Sequence, residues 1–438
     1  MGKVDVNGHL NASVAMGSGR LFGARIVAAI VLLTPLAVSA QAILRGVKDP
    51  ETPPPSQLVL PFVLYSDATR FGGGLGATSQ GNFQPQLFLG AAAFGSTNGS
   101  VGVYGMIEDL RLGDNSRLFI DSDLFFTQYI KRQEFIDGNP HFPGNAGTNE
   151  SDKRDFVVSD TFSGTINPTL KYVLPFGGGR DSPIANYALD RGMLASGATG
   201  GWAFNPLTSG RTFIEVQPYA NFQRLRFLSG NVPTRSNYDS FGLRAGIRWD
   251  NTDLPINPSR GNIASFYVSR DPGIFTSSST YTDLDASYTQ FINLGEIKGF
   301  RQSVLAIDLW ANDECAGSAP YYMGATLGGY NRMRAYPFDR FSGGAALYAA
   351  AELRLIPQWN PVKYWAALDR AARVDWFQLA FFVEAGSVAP SLSNELFNNP
   401  RIDGGFGLRI LAHQVLLRAD VAASNEGVTM WLMVGQAF

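Results

Sequence analysis

The sequence predicts an all-β protein, a transmembrane antiparallel β-barrel of about 16 strands. Three observations lead there. An apolar run ending in small residues near the N-terminus marks export. Segments that alternate apolar with polar or small residues then recur along almost the whole chain. The last of these ends on an aromatic residue, Phe438.

The export signal comes first. Arg20 and Arg25 precede "IVAAIVLLTPLAVSAQA", and cleavage after Ala40 or Ala42 suits secretory processing. Met16 would begin a leader of ordinary length, and the run is short for a membrane-spanning helix. The expected plan is a signal peptide at 1–42, a Pro-containing periplasmic spacer at 43–56 and a barrel over 57–438. No later apolar run reaches the 18 residues a spanning helix needs. The net charge of -2 gives no electrostatic footprint for nucleic acid, and 45% hydrophobic residues permit a large core. The 48 Gly and 31 Phe suit turns and strands respectively. The single cysteine, Cys315, excludes an internal disulfide and a Cys-based zinc cluster, and reads as a packed small side chain.

The strands follow in order. Segment 57–65 opens the series, and 70–79 contains "FGGGLG", which reads as a strand of small residues rather than a phosphate loop. Segments 85–96 and 99–111 are separated by a tight turn, whereas 116–131 and 155–174 flank a long loop. The stretch 175–210 is long where a short turn is expected, so it holds either a folded insertion or two short strands. Next come 211–228, 236–250, 261–271, 279–294 and 301–314. They bring Asp283, Asp285 and Asp308 to the inner face, where arginines are the expected partners in a chain with 28 Arg against 7 Lys. In 343–357, Leu347, Ala349, Ala351 and Leu353 share one face, while Tyr348, Glu352 and Arg354 share the other. In 376–388, Phe377, Leu379, Phe381 and Val383 oppose Gln378, Glu384 and Gly386. Segment 401–412 carries Arg409, and 414–423 sets Leu417 and Val421 against Arg418 and Asp420. The final segment, 427–438, places Val428, Met430, Leu432, Val434 and Phe438 on one face. Lengths of this order suffice for a tilted crossing of a bilayer, and an even strand number suits a closed barrel. Closure is required because lipid cannot satisfy an open strand edge.

The stretch "LGGYNRMRAYPFDRFSGGAALYAAAELRL" from residue 327 resembles a loop and following strand of the Omp85 superfamily, the BamA/TamA-like bacterial surface antigens (D15). The family motif V-R-G-F/Y reads here as Met333-Arg334-Ala335-Tyr336. The resemblance implies an extracellular loop between strands 11 and 12 that folds into the lumen. Its anchor would be Arg334, Tyr336, Gly328 and Gly329. Ala335 replaces the family glycine, which bears on the local backbone geometry. "FFVEAG" is similar to the family's F-x-D-x-G wall motif, with Glu384 in place of Asp. The implied inner-wall partners are Glu384, Glu352, Gly386 and Arg409. "RWDNTDLPINPSRGNIASF" resembles the family turn between strands 8 and 9, through Asp250, Asp253, Pro258, Arg260 and Gly261. The terminal strand, with Phe438, Val434 and Leu432, resembles the signal that directs outer-membrane barrels to assembly, although Gln436 departs from it. The likeness covers about 236–438; residues 57–230 agree in strand pattern alone.

Function follows from the resemblance. In this family POTRA domains precede the barrel, and the spacer is too short to hold one, so a barrel-only member is expected. The expected role is protein insertion into, or translocation across, the outer membrane of a Gram-negative-type bacterium. Segments 57–65 and 427–438 would form a weak seam. The alternative is a passive outer-membrane channel or surface-exposed protein that kept the fold without assembly activity. Expected partners are outer-membrane lipid, client outer-membrane or secreted proteins, and a separate periplasmic protein touching the 175–210 or 358–375 turns; nucleic acid is not one. An enzyme is not expected, nor any metal or cofactor. His9, His141 and His413 are scattered, and neither G-x-S-x-G before a helix nor H-E-x-x-H occurs.

Overall fold

The structure, a computed structural model, describes residues 56–142, 144–364, 374–412 and 415–438. The expected signal peptide, the expected spacer up to residue 55, His9, His413 and residues 365–373 of the 358–375 turn lie outside these residues.

The first half of the barrel comprises β1 (Ser56–Ser66), β2 (Arg70–Gln80), β3 (Phe88–Ser96), β4 (Val101–Arg111), β5 (Leu118–Glu134) and β6 (Val157–Val173). A short hairpin, β7 (Ala188–Asp190) with β8 (Met193–Ser196), precedes β9 (Arg211–Phe227) and β10 (Arg235–Asp250). Then come β11 (Gly261–Asp271), β12 (Tyr281–Asn293) and β13 (Phe300–Gly317). A second hairpin, β14 (Ala325–Leu327) with β15 (Phe341–Gly343), lies between β13 and β16 (Ala345–Pro357). The chain closes with β17 (Val374–Ala389), β18 (Arg401–Ala412), β19 (Val415–Ser424) and β20 (Val428–Val434). Apart from the two hairpins, the strands form one 16-stranded sheet in chain order from β1 to β20. The pairings are antiparallel throughout.

Alternation decides which side each residue faces. On the outside, Leu243, Ile247, Phe266, Phe381, Val383 and Phe406 are each exposed by 46–58%. Contiguous apolar surface on that scale belongs against lipid rather than water. On the inside lie Arg248, Asp308, Glu352, Arg354, Gln378, Glu384 and Arg409, all buried. The even strand number places Ser56 and Phe438 at one end of the barrel, the terminal end; loop 318–344 enters from the other, the loop end.

Two expectations are corrected, and one that was open between two forms is decided. β5 runs on to Glu134, because Lys131 adopts a left-handed φ of 56° and the register shifts between Tyr129 and Arg132. Such a bulge breaks the alternation from which a strand end is read. The stretch 175–210 holds a 3-10 turn at Gly177–Gly179 as well as the β7–β8 hairpin. The final strand ends at Val434, where Gly435 turns with φ 88°. Phe438 therefore does not share a face with Val434. It folds inward, its ring 5.0 Å from the Arg354 guanidinium, while Arg354 Nη2 donates to its carbonyl at 3.1 Å.

The two edges of the sheet meet without pairing. Among the described residues no backbone ladder joins β1 to β20. Leu432 and Val434 instead pack against the cluster built from Phe62, Leu64 and Tyr104. Those three belong to the inner face of the first strands, so the back of β20 presses on the inside of β1.

Candidate functional site

Loop 318–344 descends into the barrel instead of standing above it. Its neck is the β14–β15 hairpin, closed by the pairs Ala325 with Gly343 and Leu327 with Phe341. Below the neck Gly328 and Gly329 adopt φ of 114° and 107°, and Met333 adopts 57°. A Cβ at Gly328 would lie 2.9 Å from the Arg340 amide nitrogen, so this reversal needs glycine. Three backbone bonds hold the tip: Gly328 N to Arg332 O at 3.2 Å, Gly329 N to Tyr336 O at 3.0 Å and Tyr336 N to Met333 O at 3.0 Å. The left-handed residue of the motif is Met333 and not Ala335, so alanine fits without strain where the family pattern has glycine.

Arg334 sits at the bottom of this descent with no exposed surface. Its Nε donates to Glu384 Oε1 at 3.1 Å and its backbone N–H to Glu384 Oε2 at 2.7 Å. Its Nη1 donates to Glu352 Oε2 at 3.0 Å and to Asp420 Oδ2 at 2.9 Å. The three carboxylates come from β16, β17 and β19, where alternation turns each toward the lumen. A planar guanidinium with five N–H groups reaches them all, which an ammonium group could not do at fixed geometry. Beneath it, the Phe382 ring lies 3.4 Å from the guanidinium carbon. Trp431 Nε1 donates to the Arg334 carbonyl at 2.6 Å, tying the loop to β20.

The neighbours complete the lock. Ala335 N donates to Asp403 Oδ2 at 3.0 Å, and Thr429 Oγ1 donates to the Ala335 carbonyl at 3.0 Å. The Tyr336 hydroxyl reaches Ile402 O at 3.3 Å and Asn425 Oδ1 at 3.2 Å. Arg409 Nη2 and Arg354 Nε donate to Glu352 at 2.8 and 2.7 Å, so that carboxylate is shared by three arginines. Tyr348 donates its hydroxyl to Glu384 at 2.5 Å. At Gly386 an added Cβ would meet Leu327 at 2.8 Å and Met333 Sδ at 3.0 Å; the missing side chain is the space the loop occupies. All four expected wall residues, Glu352, Glu384, Gly386 and Arg409, therefore lie around the motif. The polar ties run to β16, β17, β18, β19 and β20, the last five strands before the seam. Toward the early strands the loop sends Asp339, which accepts from Arg132 of β5 at 2.8 Å.

Several residues of the lock escaped the sequence reading. Alternation placed Asp420 inside but nothing marked it as a partner of Arg334. Phe382, Asp403 and Trp431 left no signal beyond their inward parity. A second arginine, Arg340, was missed: it holds Glu426 through Nε at 2.9 Å and Nη2 at 2.8 Å, and Ser151 Oγ at 2.8 Å. Ser151 lies on the 135–156 loop, which covers the neck, and Asn149 of that loop donates to Val388 O at 3.0 Å.

The turn between β10 and β11 closes the terminal end. Asp250 Oδ1 accepts from Thr252 N at 3.0 Å, and its Oδ2 accepts from Arg248 at 2.8 Å. Asp253 Oδ1 gathers the backbone N–H groups of Leu254 at 3.0 Å, Ser259 at 2.9 Å and Arg260 at 3.3 Å. Pro258 is buried, the Arg260 side chain is exposed, and Gly261 turns the chain back with φ 98°. Leu254 and Ile256 from this turn pack with Ala185 and Tyr187 of the 175–210 stretch against Trp376, Leu411 and Leu416 of the opposite wall. The mouth at this end is thus bridged by an apolar layer. Of the acidic residues expected to face inward, Asp285 pairs with Arg244 at 3.0 Å, Asp308 accepts from Thr289 at 2.6 Å and Asp283 from Asn312 at 3.0 Å. What the assembled site does is hold a loop in place.

With this geometry in view, comparison with known proteins finds both a family and solved structures that resemble this chain. The family model described as the Omp85 superfamily domain matches residues 207–429, a span that contains both the β10–β11 turn and the locked loop. Among solved structures, BamA from Haemophilus ducreyi lacking POTRA domains 1-3 superposes with a TM-score of 0.50 at 13% identity, covering 87% of this chain and 70% of that one. Curated proteins give no match.

Proposed function

The chain belongs to the Omp85 superfamily, and from that premise we propose that it inserts proteins into, or moves them across, the outer membrane of a Gram-negative-type bacterium. The observation that carries this reading is the seam. Among the described residues every neighbouring pair of barrel strands shares a ladder except β1 and β20. An unpaired strand edge at membrane depth leaves N–H and C=O groups without partners, so it has affinity for a further strand. A client polypeptide in extended form is such a strand. The terminal end faces the periplasm in this reading, so a client arriving there meets the seam at its open edge.

The locked loop gives the seam an asymmetric build. Its bonds staple β16 through β20 into one unit that ends at the seam. Among the described residues the other edge is held by apolar contact with Leu60, Phe62 and Leu64 of β1. Apolar contact has no fixed direction, whereas the loop's charge-assisted bonds do. The β1 edge is therefore the one that yields. A passive channel would need an open lumen, and Met333, Arg334, Tyr336 and Phe341 fill this one without exposed surface. The protein acts by guiding strands rather than by covalent chemistry, with lipid and client chains as its partners. Residues 1–42 act as a cleaved signal peptide and 43–56 as a spacer.

The test is folding of a client outer-membrane barrel into liposomes, with and without this protein in the bilayer. Faster client folding in its presence is expected. Client folding at the rate of empty liposomes, with the protein folded and conducting ions, would make it a channel.

A further inference from the structure

The stretch 175–210 works on both sides of the barrel wall. Its hairpin lies inside the mouth, where Trp376 Nε1 donates to Gly192 O at 3.1 Å. The chain then crosses the rim and runs down the outside of β10. The crossing is rigid: Asn251 Oδ1 accepts from Gly201 N at 3.1 Å and Ser209 Oγ at 2.6 Å, while its Nδ2 donates to Ala203 O at 3.0 Å.

On this fixed frame three large apolar side chains point away from the protein. Trp202 is 52% exposed, Phe204 73% and Leu207 58%. Scattered apolar residues are ordinary on a surface, but three in one tight turn form a patch. The patch is continuous with the lipid-facing wall. Phe204 stacks edge-on against Trp249, with centroids 5.3 Å apart, and Trp249 Nε1 donates to Ser209 O at 2.9 Å. Trp249 lies on the outer face of β10, in line with the exposed Leu243 and Ile247. Trp202 satisfies its polar end by donating Nε1 to Thr208 O at 3.2 Å, which leaves its ring face free. An apolar ring body with a satisfied polar end at the margin of the apolar band is the pattern of residues at a membrane–water boundary.

We propose that residues 202–207 form a lipid-inserted elbow, seated in the leaflet at the terminal end with Trp202, Phe204 and Leu207 among the upper acyl chains. The occupant of the patch is bilayer lipid. The 175–210 stretch is then held from two sides, by its hairpin within the mouth and its elbow within the membrane. This inference rests on the membrane seat of the barrel and is independent of assembly activity.

The experiment uses the whole protein in phosphatidylcholine vesicles, with Cys315→Ser as background and single cysteines carrying a polarity-sensitive fluorophore. Leu243→Cys on the barrel wall sets the full quench by lipids brominated on their chains. Asp114→Cys, on an exposed turn at the same end, sets the aqueous level and is quenched by iodide instead. Phe204→Cys and Leu207→Cys report on the elbow. Quenching of either reporter near the Leu243 level, with protection from iodide, is expected. Both reporters following the Asp114 label would overturn the proposal.

Discussion

Arg334 binds three carboxylates at once, and neither it nor they touch solvent. Removing one partner from a buried ionic group costs about 3–5 kcal/mol, much of it because the remaining charges stay buried. Arg334→Ala should therefore lower the unfolding temperature in detergent and speed proteolysis within 318–344; wild-type values for both would show that the loop is held by other contacts. Glu384→Gln keeps one acceptor oxygen for Tyr348 and the Arg334 Nε, while the amide group in place of Oε2 no longer accepts from the Arg334 N–H, so its effect should go the same way and be smaller. Gly386→Leu tests the lock without altering charge. Its side chain would claim the space of Leu327 and Met333, and the loop should become as protease-sensitive as in Arg334→Ala. At this scale the sequence was legible where a motif carried the residue, as at Arg334 and Glu384. It was not legible at Asp420, because alternation gives the face of a strand residue but not its height. Which inward residue meets Arg334 depends on strand register, and that is a tertiary property.

The sixteen barrel strands were readable because each crosses the wall long enough for period two to repeat several times. The β7–β8 hairpin was not placed, beyond two short strands being one alternative for 175–210, since three- and four-residue strands are too brief for any period to register. Nor was the inward turn of Phe438, which follows from the left-handed Gly435 and the pull of Arg354. The hairpin's docking can be broken at one point. Gly192 has φ 70°, and a Cβ there would lie 2.8 Å from Trp376 Nε1. Gly192→Val should undock the hairpin, raise acrylamide quenching of tryptophan fluorescence and increase single-channel conductance; unchanged quenching and conductance would mean that the mouth is closed by the β10–β11 turn alone. For that turn, Asp253→Ala removes the acceptor of three backbone N–H groups. Leaving buried donors unmet costs about 1–3 kcal/mol, so a lower midpoint in urea is expected, with the strand signal by circular dichroism retained in native buffer.

The whole molecule is a sheet rolled until its edges overlap, stiffened along its last five strands and loose at its first. Composition and alternation carried the barrel; the overlap did not show in the sequence, because Leu432 and Val434 look the same whether they face lipid or the inner side of β1. Movement at this overlap is the central claim, and locking it is the most direct test. In a Cys315→Ser background, Leu64→Cys and Leu432→Cys place two thiols in one apolar cluster, where a short reducible cross-linker can join them. Client-barrel folding into liposomes is then followed before and after reduction. The seam account predicts no acceleration by the locked protein and recovery once the linker is cut. Equal acceleration in the locked and reduced states would contradict it.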